Sequence, residues 1–295
     1  MRRSSFRNSR KDNACVVALS HAGDAARPRC RPPGTSLRYS RRVHAIIVFV
    51  AAFVAGAINS VAGGGTLVTF PTLLWVGLAE NAANATSTAA LWPGSLGSVW
   101  GYRRELAAAD RRLFALVLPS VVGGIVGAVL LQLTPNDTFK HLVPFLILFA
   151  TALFMAQDAL QRRFNLTAAH EARSHWLSWT MLFQLGVAIY GGYFGAGIGI
   201  LMLAALSLMG HTDIHRMNAV KNLLAACINS LAGIYFLLFS DLVAHRDAVV
   251  MAIGAIVGGI AGAGLARRLG RQTVRRIVIV IGFVAAIDQM RRLWL

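Results

Sequence analysis

The sequence contains few charged residues for its length. Of its 295 residues, 14% are Asp, Glu, Lys or Arg, whereas a soluble globular domain carries roughly 25%. Hydrophobic residues make up 56% of the chain, and the mean hydropathy is +0.58. This balance is typical of a protein that crosses a membrane several times, and it argues against an ordinary soluble domain.

Acidic residues are especially scarce, since 12 Asp and Glu face 29 Lys and Arg, for a net charge of +17. Those near the apolar segments lie at segment ends: Glu80, Asp110, Asp158, Asp213, Asp241, Asp247 and Asp288. Cation pumps place carboxylates inside the membrane, so this distribution argues against a cation substrate. The arginines cluster between apolar segments and not over an amphipathic surface, which predicts no nucleic-acid partner.

Signatures of catalysis are also missing. The three cysteines, Cys15, Cys30 and Cys227, show no metal-ligand spacing and do not form an even disulfide set. The sequence has no zinc-protease motif, no nucleophile elbow and no phosphate-binding loop, and "GAGIGI" lacks the third glycine of the dinucleotide fingerprint. We therefore predict a protein that is not an enzyme and needs no metal or cofactor.

The chain divides into a tail and two apolar parts. Residues 1–42 are polar and rich in Arg, Ser and Pro, which predicts a disordered basic tail. We predict a first transmembrane repeat over 43–160, a polar linker over 161–176 and a second transmembrane repeat over 177–293. Several apolar segments have the roughly 20 residues that cross a membrane core of about 30 Å.

The two apolar parts are related in sequence. A shift of 134 residues places "AGGGTL", 62–67, on "AGIGIL", 196–201. With one inserted residue, "VGGIVGAVL", 122–130, falls on "VGGIAGAGL", 257–265. The repeat predicts an all-α polytopic membrane protein of two homologous halves, with about eight transmembrane helices and glycine-broken or re-entrant segments. Parallel and inverted halves both remain open, and the arginine-rich loops favour inverted ones.

Each of the two glycine stretches "AGGGT" and "FGAGIG" precedes an apolar segment too short to span. Matching broken segments in two halves indicate the binding site of a secondary transporter, because unpaired backbone in a bilayer must face protein or a wet cavity. Helix N-termini at such a break favour an anion. The alternative is that glycines allow close helix packing, and we favour it for "VGGIVGAVL" and "VGGIAGAGL".

Candidate substrate-binding residues are the break glycines and the polar residues beside them. They are Asn59, Gly63, Gly64, Gly65, Thr66, Asn84, Thr86, Ser87, Gly195, Gly197, Gly199, Asn218, Lys221, Asn222 and Asn229. As alternatives, Ser and Thr can bond their own helix backbone, and Asn84 and Asn218 can act as helix N-caps. Lys221, near the start of an apolar helix, either faces a cavity or extends to the lipid headgroups.

The paired arrangement resembles a known family. "GAINSVAGGGTLVTFPTLL" followed by "NATSTAAL", and "GGYFGAGIGILMLAAL" followed by "NAVKNLLAACINSLAGIYF", are similar to the sulfite exporter TauE/SafE family. The resemblance covers nearly all of residues 44–293. It implies about eight spanning helices in two homologous halves and a multi-pass protein of the cell (inner) membrane.

The resemblance also implies a function, namely transport of small anions by export of sulfite or organosulfonates. The expected partners are a small anionic substrate and the lipid bilayer, while the oligomeric state is open. A non-transporting membrane scaffold or assembly protein is the alternative, although a scaffold would not need duplicated breaks.

Overall fold

Helices account for nearly all of the chain that can be described. The computed structural model describes residues 41–61, 63–109, 111–168, 176–208, 214–269 and 271–294. Within these ranges the fold is all-helical and contains no β-strand, as the sequence predicts. The predicted tail, residues 1–42, lies outside them except for its last two residues.

The described α-helices range from 5 to 33 residues in length. In chain order they are α1 (Arg41–Val61), α2 (Thr66–Trp75), α3 (Glu80–Gly101), α4 (Arg103–Ala107), α5 (Val117–Leu133), α6 (Asn136–Ala168), α7 (Trp176–Tyr193), α8 (Ile198–Leu208), α9 (Ile214–Phe239), α10 (His245–Leu269) and α11 (Arg271–Trp294). A 3-10 helix, Arg111–Leu116, precedes α5. The first part of the predicted linker, residues 161–168, lies within α6.

The helices α3 and α9 begin before the two asparagines that could have capped them. Because α3 begins at Glu80 and α9 at Ile214, Asn84 and Asn218 lie about one turn inside their helices, and the N-cap interpretation of both is wrong. A residue of another helix caps the start of α3. The Oδ1 atom of Asn136, in α6, accepts a hydrogen bond from the backbone N–H of Asn81 at 3.1 Å. That cap is a tertiary contact, which local sequence does not reveal.

Four helical segments among the described residues are long and apolar enough to cross a membrane. They are Arg42–Ser60, Leu113–Leu133, Asn136–Ala156 and Arg216–Phe239. Large apolar side chains also cover the outside of the bundle, for example Trp100, Leu118 and Leu238. Such broad apolar surface suits contact with lipid, so the protein is a multi-pass membrane protein.

Glycines bring two pairs of helices into backbone contact. In α10, a methyl group on Gly258 would overlap the Phe53 carbonyl oxygen of α1. In the other pair, a methyl group on Gly127 of α5 would overlap the Ile189 carbonyl oxygen of α7. These contacts confirm the packing interpretation of "VGGIVGAVL" and "VGGIAGAGL".

The contacts also give the direction of each helix. His44 bonds Asp247 at 2.9 Å, and Phe53 meets Gly258, so α1 and α10 run parallel. Gly94 lies against Ala255 and the Thr86 hydroxyl binds the Ala244 N–H, so α3 runs in that direction too. We call the end where α3 ends and α11 begins the basic end, because it carries Arg103, Arg104, Arg275 and Arg276.

We expect Gly258→Ala to lower the stability of the protein, because the added methyl group meets an immovable backbone carbonyl, and overpacking typically costs about 1–3 kcal/mol. Thermal unfolding of the purified protein in detergent measures the effect. Gly186→Ala is the matched control, since that helical glycine has nothing within 4 Å of the new methyl group. Equal midpoints for the two variants would contradict the packing described here.

Candidate functional site

The two glycine breaks meet inside the bundle. A Cβ atom built on Gly63, between α1 and α2, would lie 2.9 Å from the Cα atom of Gly199 at the start of α8. Gly63, Gly195 and Gly197 have φ angles of +75°, +80° and +78°, a region that only glycine enters readily. The breaks thus depend on glycine both for the turn and for the close approach.

Hydrogen bonds hold the backbone at both breaks. The Asn59 side chain accepts a hydrogen bond from the Gly65 N–H at 2.7 Å, and the Tyr190 hydroxyl donates one to the Ala196 carbonyl at 2.8 Å. The N–H of Gly63 binds the Ile58 carbonyl, and that of Gly195 binds the Tyr190 carbonyl, both at 3.2 Å. Each break is therefore a defined turn in which these four backbone groups are paired, as a membrane interior requires.

A polar cavity lies where the breaks meet. The space free of atoms between its lining residues and at its open mouth is about 410 Å³. The first half contributes Asn59, Gly63, Thr66, Ser95 and Ser98, and the second half contributes Gly195, Ile198, Gly199, Lys221, Asn222, Ala225 and Asn229. None of these residues is acidic. The cavity thus combines amides, hydroxyls and one cationic side chain.

Lys221 is the cationic residue of the cavity and is 1% exposed. Its burial within the protein contradicts the interpretation in which it extends to the lipid headgroups. Its neighbour Asn222 donates a hydrogen bond to the Ser60 carbonyl at 3.5 Å, which links α9 to the end of α1. An ammonium group at this depth is costly unless it is paired or solvated, and the polar groups that line the cavity around Lys221 lower that cost.

Comparison with known proteins identifies the family. The model of the family described as Sulfite exporter TauE/SafE matches residues 48–288. The chain belongs to this family. Similar curated proteins include a probable membrane transporter protein of Haemophilus influenzae, 29% identical with 81% of this chain and 91% of that protein covered, and the probable membrane transporter protein ORF9 of a Sinorhizobium species, 27% identical with 84% and 95% covered. No solved structure gives a significant match.

Membership in the TauE/SafE family places the protein among membrane transporters, in agreement with its apolar helices. A third relative, the probable membrane transporter protein YfcA of Escherichia coli K12, is 24% identical, with 81% of this chain and 86% of that protein covered. These relatives are matched over most of their length, so the similarity extends through both halves of the chain.

The structure brings eight of the fifteen candidate residues to the cavity. The other seven do not line it: Gly64, Gly65, Asn84, Thr86, Ser87, Gly197 and Asn218. Several of them have structural contacts instead. The Asn84 amide donates a hydrogen bond to the Tyr193 carbonyl at 2.6 Å, and the Ser87 and Thr69 hydroxyls lie 2.6 Å apart.

Four lining residues are not among the sequence candidates, namely Ser95, Ser98, Ile198 and Ala225. Ser95 could have been found, because the 134-residue shift places it on Asn229. The Asn229 amide in fact donates a hydrogen bond to the Ser95 hydroxyl at 3.4 Å. Ile198 and Ala225 are apolar, and nothing in the sequence distinguishes them from other residues of the bundle.

We expect Gly63→Ala to abolish most transport, because alanine costs about 1–2 kcal/mol in the left-handed region and would also press against the Gly199 backbone. Gly77→Ala is the matched control, since Gly77 has a φ angle of +100° but nothing within 4 Å. Substrate uptake by proteoliposomes, normalised to inserted protein, compares the two variants. Equal losses would show that the contact between the breaks is unimportant.

Proposed function

We propose that this protein transports a small anion through the cavity between its two glycine breaks. The observation that carries the proposal is Lys221, a buried cation in a polar cavity whose described lining residues include no acid. A buried positive charge binds an anion strongly because little water competes for either partner. A cation substrate would find no carboxylate among the described lining residues.

Two helix N-termini add to this preference. Thr66 is the first residue of α2 and Ile198 is the first residue of α8, and both line the cavity. The N-terminus of a helix carries about half a positive charge, which favours anions. Hydroxyl and amide groups of Thr66, Asn222 and Asn229 can replace part of the water shell of an oxyanion.

For the membrane arrangement, we infer eight spanning helices in two inverted halves. The eight long helices are α1, α3, α5, α6, α7, α9, α10 and α11, and α2 and α8 are the short pieces that follow the breaks. Ser95 meets Asn229, and Gly233 lies against Trp92, so α9 runs opposite to α3, which occupies the corresponding place in the first half. Equivalent helices with opposite directions are what an inverted repeat requires.

The arginines support one orientation of this arrangement. Arg103 and Arg104 follow α3, and Arg275 and Arg276 lie near the start of α11, so both arginine-rich loops belong to the basic end. Cytoplasmic loops carry an excess of Lys and Arg. We therefore place the basic end in the cytoplasm and the protein in the cell (inner) membrane.

The chemical identity of the substrate follows from the family and not from the geometry. The family description names sulfite export. The resemblance of this chain to that family implies organosulfonates as substrates as well. Both are small oxyanions with the charge and hydrogen-bond acceptors that Lys221 and its polar neighbours can bind. We accordingly propose sulfite or an organosulfonate as the substrate and export as the direction.

The test is transport in proteoliposomes with labelled sulfite, an organosulfonate, sulfate and sodium. We expect wild type to move sulfite or the organosulfonate, and Lys221→Ala to weaken apparent affinity roughly ten- to a hundred-fold, since a charge-assisted hydrogen bond contributes about 1.5–3 kcal/mol. Lys140→Ala is the control, because Lys140 lies near the start of α6 and outside the cavity.

Each other outcome has a definite meaning. Unchanged transport by Lys221→Ala would show that Lys221 does not contact the substrate. Sodium flux without anion flux would overturn the proposed function, and no flux of any solute would support a scaffold or assembly role. Flux in the opposite direction would change only the proposal of export.

Asn59 allows the charge of the site to be tested separately from its shape. Asn59→Asp retains an oxygen for the Gly65 N–H but adds a negative charge, so we expect near-normal stability and strongly reduced anion transport. Asn59→Ala removes the oxygen, and we expect lower thermal stability, since an unpaired buried donor costs about 1–3 kcal/mol. Undiminished anion transport by the Asn59→Asp variant would contradict an anion at this position.

A further inference from the structure

Ser95 and Asn229 occupy equivalent positions of the two halves and touch each other. They are 134 residues apart, the shift that relates the glycine breaks, and the Asn229 amide donates to the Ser95 hydroxyl at 3.4 Å. Equivalent points of two halves related by a twofold axis meet only at that axis. The pair therefore marks where the axis between the halves passes through the cavity.

Neighbouring contacts have the same symmetry. Gly259 of α10 lies against the Gly94 carbonyl of α3, and Gly124 of α5 lies against the backbone of Ile228 in α9. Under the repeat, with its one inserted residue, Gly124 corresponds to Gly259 and Gly94 corresponds to Ile228. The helices around the Ser95–Asn229 pair are thus arranged alike on both sides of it.

The positive charge does not follow this symmetry. The residue equivalent to Lys221 is Ser87, which lies outside the cavity with its hydroxyl 2.6 Å from that of Thr69. On α9, Lys221 is eight residues before Asn229, about 12 Å along a helix that rises 1.5 Å per residue. Because α9 begins at the basic end, Lys221 lies between that end and the axis.

We propose that Ser95 and Asn229 contact the substrate in both the inward-open and the outward-open states, whereas Lys221 is accessible only from the basic end. This inference rests on the proposed function and on its inverted halves. Transporters built from such repeats move one unit against the other around a fixed site. Residues on the axis keep their relation to both halves during that movement, while a residue far from the axis does not.

The chemistry of the pair suits a fixed contact. The Asn229 amide donates to the Ser95 hydroxyl at 3.4 Å, longer than the 2.7–3.2 Å usual for an N–H donor. An oxyanion that accepts hydrogen bonds from both groups replaces this weak bond, and the bond from the Ser95 hydroxyl to the Leu91 carbonyl, with two charge-assisted ones. The pair then binds the oxygens of the substrate, while the positive charge of Lys221 attracts the negative charge of the substrate.

Thiol accessibility tests the proposal without knowledge of the substrate. Ser95→Cys, Asn229→Cys and Lys221→Cys are each placed in a background in which Cys15, Cys30 and Cys227 are replaced by Ser, Ser and Ala. A small membrane-impermeant methanethiosulfonate is applied to right-side-out and to inside-out vesicles. We expect labelling at residues 95 and 229 from both faces, and at residue 221 only from the face that exposes the basic end.

Labelling of residues 95 and 229 from a single face, or of residue 221 from both, would overturn the proposal. A transport arm adds a second measurement with Ser95→Ala and Asn229→Ala. We expect each single variant to raise the apparent KM for sulfite or the organosulfonate at least several-fold. We expect the double variant to raise the KM by less than the product of the two single-variant factors. An unchanged KM in both single variants would exclude substrate contact.

Thr72→Val is the matched control for Ser95→Ala. Both residues are 7% exposed, and both hydroxyls donate to the carbonyl four residues earlier, but Thr72 does not line the cavity. We expect its KM to equal that of wild type. If wild type moves no anion while residues 95 and 229 are still labelled from both faces, the proposed substrate is wrong and the axial position of the pair stands.

Discussion

The structure depends on one constraint, which is that backbone N–H and C=O groups inside a bilayer must be paired or must face a wet space. An unbroken helix meets this requirement by itself, but a glycine break does not. Here Asn59 binds the Gly65 N–H and Tyr190 binds the Ala196 carbonyl. These two side chains make it possible to keep a break, with its two helix N-termini, in the middle of the protein.

Bringing the breaks together requires the helices that carry them to be held firmly. Gly258 lies on the backbone of α1, and Gly127 lies on the backbone of α7, so each broken helix is packed against a long helix of the other half. Larger residues at these positions would separate the helices and open the contact between Gly63 and Gly199. These glycines thus pack the helices on which both breaks depend.

The proposed inverted halves differ in one charge, that of Lys221, and this difference has a functional consequence. Two similar halves provide two breaks, two helix N-termini and the meeting of Ser95 with Asn229, whereas Lys221 has only Ser87 as its counterpart. On the proposed transport function, the two ends of the path therefore differ electrostatically even though the two sequence repeats are similar. Such a difference gives a transporter a preferred side for capturing its substrate without requiring a different fold in each half.

The repeat was the strongest information in the sequence, since it located both breaks and eight of the residues that line the cavity. It would also have nominated Ser95 as the partner of Asn229, had each polar residue been carried across the 134-residue shift. Asn84 and Thr86 are polar and close to a break in sequence, which predicts that they belong to the site. The structure gives them other partners, Tyr193 and Ala244.

The sequence by itself determined the membrane class, the helical segments and the positions of the breaks, because these depend on hydrophobicity and on the conformational freedom of glycine, which are local properties. Tertiary structure alone decided that the breaks meet, that Lys221 is buried between them and that α3 is capped by Asn136 from another helix. A side chain at the start of an apolar helix can point to lipid headgroups or to a cavity with equal local preference. Only the helices packed around it exclude one of the two.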